Sequence, residues 1–217
     1  MSALRRRLNP IGLVAAGLML ALAASKEAPW WVLSVGEVAA FQVSPFKVSL
    51  EVLGCDVVPS VVDYLTLGAW LSVLVGAVLM AAGSLSRRGW SKALLSFGLS
   101  KIAWGLSAVI IVAALPYLLA SSPLRDLLLS YAASLLGARV LSAEGPLLVG
   151  EGALRLAVAG LTVTLPLRAY VTQYFYAASA CLCLCIAARL YQRRVVAIEG
   201  AELQLQEPPK RHGAGPA

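Results

Sequence analysis

The sequence predicts a membrane-embedded all-α bundle carrying a β extracytoplasmic domain: four transmembrane helices plus one small sheet formed by the two outer loops. Three observations point there. Hydrophobic residues make up 59% of the 217-residue chain and charged residues only 13%, a balance that a water-soluble domain of this length could not hide inside one core. Four apolar segments punctuate the chain, and three of them are uncharged over the ~20 residues needed to cross ~30 Å of hydrocarbon. Between them lie two long segments with strand-like patterning and one short basic segment.

Residues 1–24 join Arg5, Arg6 and Arg7 to the apolar run Ile11 to Ala24. A basic start, a short apolar stretch and the pattern Ala21-Leu22-Ala23 also describe a cleavable signal peptide. A retained first transmembrane helix is the favoured reading. The run lengthens if it begins near Leu8, Pro10 is tolerated in a first turn, and Gly12, Ala16 and Ala24, or Gly17 and Ala21, fall at helix-packing spacing.

The first outer loop, 25–63, contains WWVLSV and FQVSPFKVSLEV. From Phe46 onward apolar and polar residues alternate, which predicts a half-buried strand with Pro45 at its start or on an edge. The second transmembrane helix covers 64–85, a short inner connection 86–101, and the third helix 102–120. The second outer loop, 121–168, opens as a helix, with Ser122 as N-cap, Pro123 at the first position, Asp126 in the first turn and Gly137 as stop. Its apolar residues Leu124, Leu127, Leu128, Tyr131 and Leu135 share one face, as expected of a helix on the membrane surface or capping the bundle. The rest of that loop reads as two to four short strands separated by Gly145, Gly150, Gly152 and Gly160. A strand pair alone is marginal in water, so both outer loops are expected to build one sheet. The fourth helix covers 169–190. The inner tail, 191–217, ends in QEPPKRHGAGPA and has the composition of a disordered segment.

Charge fixes the expected orientation. With both termini cytoplasmic, 12 of the 18 Lys and Arg fall on the inner side and 8 of the 11 acids on the outer, the positive-inside pattern of a multi-pass cell-membrane protein. This accounts for the net charge of +7 without a nucleic acid. The lipid bilayer is the expected partner, together with other membrane proteins or a second copy of the chain.

Enzyme chemistry finds little support. The lone histidine, His212, sits in the tail, and no HExxH, Ser-His-Asp set or P-loop can be assembled. The three long spans hold no ionisable residue between their predicted ends. Lys101 falls at the inner edge of the third helix, where it can snorkel, and Asp63 at the outer edge of the second. Glu144 and Glu151 read as solvated turn residues. No cofactor and no metal are expected, and the function predicted is non-enzymatic.

Helix packing is better specified. Gly68, Ser72 and Gly76 recur every four residues and leave one stripe of the second helix nearly free of side chains, so another helix, from the same chain or a second one, can approach. Gly98, Gly105 and Pro116 permit similar contacts or a bend in the third helix. In the fourth helix Cys181 and Cys185 lie about 40° apart around the axis and Cys183 about 160° from either, so the three cannot face one ion. Cys181 and Cys185 share a face with Ala177 and extend a small-residue packing stripe towards Arg189, with lipid acylation of Cys185 as the alternative. Cys55 stands alone outside, either free and buried or available for an intermolecular disulfide. Trp30, Trp31, Trp90, Tyr117, Tyr170, Tyr174 and Tyr176 fall near water boundaries and read as interfacial anchors.

In topology this pattern resembles the claudin and peripheral myelin protein-like group of tetraspan membrane proteins. Trp30 and Trp31 just past the first helix match the aromatic position of that family's first loop, and Gly54-Cys55 is similar to part of its Gly-Leu-Trp-Cys-Cys signature. The Gly-Leu-Trp triplet and a second outer cysteine are absent, and the second loop is longer. The resemblance implies a structural, adhesive or accessory role exerted through the outer β domain and the small-residue helix faces; it transfers no binding residue. Two alternatives stand beside it: a subunit of an oligomeric channel or transporter, and a quinone-coupled thiol oxidoreductase.

Overall fold

The structure, a computed structural model, describes residues 8–86, 90–121, 138–144, 149–158 and 161–206. Among these residues four helices and seven strands alternate in blocks: α1 (Pro10–Ala24), β1 (Trp31–Val35), β2 (Ala39–Val43), β3 (Val48–Val52), β4 (Cys55–Asp56), α2 (Ser60–Leu85), α3 (Ser91–Ser121), β5 (Ala138–Glu144), β6 (Gly150–Val158), β7 (Leu161–Val171) and α4 (Gln173–Gln206). By length and hydropathy Ser60–Leu85, Ser91–Ala114 and Gln173–Arg194 qualify as membrane spans, whereas α1, with 15 residues, is shorter.

The helices close a ring in which α2 packs on α1 and α3, and α4 packs on α3 and α1. Small residues set the approach. A side chain at Gly12 would strike the Ser84 hydroxyl, one at Gly83 would crowd Leu94 and the Ser91 carbonyl, and one at Gly98 would meet the Gly76 carbonyl at 2.9 Å. Backbones that near bring many weak dispersion contacts to optimal distance, which is what drives helix association in lipid.

All seven strands belong to one antiparallel sheet of order β4-β3-β2-β1-β7-β6-β5. Both halves of the sequence build it, as the marginal stability of an isolated hairpin requires. β1 is the seam, with Trp31 registered against Val43 on one side and Val171 on the other. Alternation from Phe46 does form a strand, β3, and Pro45 sits in the turn before it. Ser44 fixes that turn: its hydroxyl accepts from the amides of Phe46 and Lys47. Three strands, β5 to β7, come from the second loop.

Sheet and bundle meet around Trp30 and Trp31, which are fully buried with Val43, Phe46 and Ala169 in a core continuous with the helices. Trp30 stands edge-on to Phe46 and Trp31 edge-on to Phe41. These two tryptophans are therefore core residues and not interfacial anchors, because the strand they begin turns inward between the helix ends and the sheet. Thr172, the one residue between β7 and α4, locks the junction. Its amide donates to the Trp30 carbonyl and its hydroxyl to that of Pro29.

Several helix boundaries differ from the sequence expectation. α2 begins at Ser60, four residues before 64. α3 begins at Ser91 and absorbs most of the supposed inner connection 86–101, since a lysine whose stem lies along apolar surface does not end a helix. Residues 169–171 complete β7 before α4 starts, because Ala169 and Val171 pair with β1. α4 runs to Gln206 through residues assigned to a disordered tail, carried by helix formers in AELQLQ. The surface helix expected after Ser122 and the end of the tail from 207 lie outside the described residues.

Candidate functional site

Three places in the fold concentrate polar or exposed groups, at three levels along the bundle axis.

At the end opposite the sheet, all four helices converge on a buried polar junction. Asn9 caps α1, its Oδ1 accepting from the Gly12 amide at 3.0 Å, while its backbone amide donates to the Ser84 carbonyl at 3.1 Å. Its Nδ2 donates to the Ala188 carbonyl at 2.9 Å and to Gln192 Oε1 at 3.2 Å. Gln192 Nε2 in turn donates to the Ser86 carbonyl and to Ser91 Oγ, each at 3.1 Å. Asn9, Ser84, Ser91 and Gln192 are all buried, and the amide groups of Asn9 and Gln192 are satisfied. Such a network specifies one arrangement of the four helices. Sequence reading missed it, since Asn9 and Gln192 are unremarkable singly and their pairing spans 183 residues.

The middle level holds the α2–α3 crossing and Lys101. Of the glycine stripe, Gly76 is buried at the crossing, beside Gly98, Met19 and the Lys101 stem, whereas Gly68 faces open space and Ser72 bonds back to the Ala69 carbonyl. Lys101 lies ten residues past Ser91, about 15 Å along the helix axis. It is inside the candidate span and not at its edge. Its stem covers Gly76 and its ammonium sits 4.5 Å from the centre of the Phe97 ring. A cavity of about 310 Å³ opens there, lined by Ser72 and Val73 of α2, Lys101, Trp104 and Gly105 of α3, and Pro45 of the β2–β3 turn.

Beside this crossing, α4 turns Cys181 and Cys185 into the core. Cys181 Sγ lies 3.7 Å from the Ala15 carbonyl, and Cys185 Sγ 3.7 Å from Met80 Sδ. The buried stripe is Ala178, Cys181, Cys185 and Ala188; Ala177 is half-buried at its border. Burial removes Cys185 from the reach of acylation chemistry. Cys183 points outward, as helical geometry requires.

The third level is the far edge of the sheet. β3 and β4 are joined by the two-residue turn Leu53-Gly54, both at positive φ, 50° and 80°, the geometry of a type I′ hairpin turn. Leu53 is 77% exposed, with Val57 and Cys55 exposed beside it. Nearer the bundle, Glu27 accepts from the Lys47 ammonium. That contact holds the Glu27 carboxyl below its ordinary value and the Lys47 ammonium above its own.

Among the described residues, no group of three or more His, Cys, Asp or Glu is arranged to hold a metal ion. Comparison with known proteins returned no match to a protein-family model, a curated protein or a solved structure.

Proposed function

We propose that the chain is a multi-pass cell-membrane protein, with four membrane-crossing helices and both termini cytoplasmic, that works without catalysis as an accessory or adhesive protein. In this reading the sheet stands on the outer side as a rigid platform and its far turn docks a partner protein. The arrangement is claudin-like in topology. The side assignment rests on charge: the basic residues Lys92, Arg189, Arg193 and Arg194 gather at the end of the bundle opposite the sheet.

One observation carries the docking reading. A leucine at φ 50° pays roughly 1–2 kcal/mol for a left-handed conformation that Asn or Gly adopts readily. The Leu53 amide donates to the Val38 carbonyl, a bond that Asn or Gly would make as well, while the leucine side chain is largely exposed and recovers none of that cost within the chain. Local strain at an exposed apolar tip is the pattern of a contact residue.

Replacing Leu53 with Asn tests it. The variant is expected to be more stable than wild type by about 0.5–1 kcal/mol, yet to lose the partner recovered by cross-linking and detergent pull-down. Recovery of wild type as a monomer with no companion, or undiminished recovery by Leu53→Asn, counts against the reading.

A further inference from the structure

We propose that the groove between α2 and α3 holds an acyl chain of an anionic phospholipid, whose phosphate is bound by Lys101. A charge inside hydrocarbon is costly and is almost always paired. Lys101 has only the Phe97 ring beneath its ammonium, and no carboxylate among the described residues forms an ion pair with it. Cation–π contact offsets part of the cost and leaves the charge uncancelled.

The described helices do not supply the missing anion by self-association. Among the described residues the acids on helices are Asp63 in the first turn of α2 and Glu199 and Glu202 near the end of α4. None is at the depth of Lys101, so a second copy presenting the same helices brings no carboxylate there. A helix of another protein is also a poor occupant. The cavity measures about 310 Å³, at the small end of ligand sites, and a helix is a rigid rod about 10 Å across. Pro45, contacting the Gly105 position at its outer end, blocks a rod continuing along the groove. An acyl chain is a single file of methylenes, narrower than a helix, so part of its length can lie in the groove and bend past Pro45.

The direction of Lys101 identifies the leaflet. Its ammonium reaches back over Phe97, one turn closer to the start of α3, and that end of the bundle carries Lys92, Arg189, Arg193 and Arg194, which concentrate anionic lipid. The head group therefore enters from the basic side, and one chain runs past Ser72 and Trp104 towards Pro45.

The inference rests on the membrane reading above but not on a partner at Leu53. It is tested on the full chain, extracted from membranes in a neutral detergent, by native mass spectrometry with palmitoyl-oleoyl phosphatidylglycerol, the phosphatidylcholine of the same chains, or oleate. Wild type is expected to retain one phosphatidylglycerol under conditions that strip phosphatidylcholine. Lys101→Gln should weaken that retention about tenfold, Lys101→Arg should keep it, and Ala108→Trp, which fills the groove with Lys101 intact, should abolish it. Equal retention of the two phospholipids, an unaffected Ala108→Trp variant, or Lys101-dependent binding of oleate alone would overturn the proposal. Recovery of the chain in the soluble fraction would instead overturn the membrane reading, a separate outcome.

Discussion

Asn9 shows how much one side chain can organise. It closes the first turn of α1 and reaches α4 through both the Ala188 carbonyl and Gln192. Asn9→Ala removes those bonds and orphans a buried acceptor on Gln192, so a loss of about 2–4 kcal/mol is expected, read as a lower unfolding midpoint in detergent. Gln192→Ala should be less than additive with it, since the two share one network. The exposed pair Glu27–Lys47 sits at the opposite extreme. A carboxyl whose folded pKa is lowered stabilises the fold above its unfolded value and loses that contribution as pH falls through the folded one. An ammonium whose folded pKa is raised does the reverse at the alkaline end. The pair's contribution is therefore flat across neutral pH and lost at both extremes. It is also small, because both groups face water. Glu27→Gln should flatten the acid limb of the stability profile only slightly, and high salt should mimic the substitution. A steep change at neutral pH would contradict this assignment.

At the scale of elements, the glycines separate two roles that spacing alone cannot. Gly98→Val pushes a side chain into the Gly76 carbonyl and should destabilise the bundle by several kcal/mol, whereas Gly68→Val meets open space and should leave the melting temperature nearly unchanged. Equal effects at the two positions would show that the α2–α3 crossing is misplaced. The comparison also shows what the sequence made legible. Period-four small residues announced a packing stripe, but which members are covered depends on where neighbouring helices cross. Alternation from Phe46 announced β3. β1 and β2 gave no such signal, since the start of WVLSV is apolar on both faces: Trp31 and Leu33 lie on one face and the buried Val32 on the other. By sequence Lys101 reads as a helix edge, because a charge is the usual sign of one. The seven helix-compatible residues Leu94 to Ser100 before it outweigh that cue, and the residue is a cation inside a candidate span with its stem against Gly76.

At the scale of the whole molecule, the described residues form a ring of four helices joined to a sheet to which both long connections contribute strands. Thr172 and the tryptophan pair make the joint stiff, and the polar junction at Asn9 and Gln192 holds the other end. A partner bound at the sheet edge would thus meet a platform in fixed relation to the helix bundle, at little cost in ordering. The central claim is that the sheet lies outside the membrane and α4 ends inside. Cys55 is exposed on β4, Cys181 and Cys185 are buried, and Cys183 faces outward from the middle of α4, so the natural thiols already report topology. In intact cells a membrane-impermeant maleimide should label Cys55, and Cys55→Ser should abolish the signal; a cysteine placed at Gln206 should label only after the membrane is opened. Labelling of the Gln206 position in intact cells, with Cys55 reached only after lysis, would contradict the account.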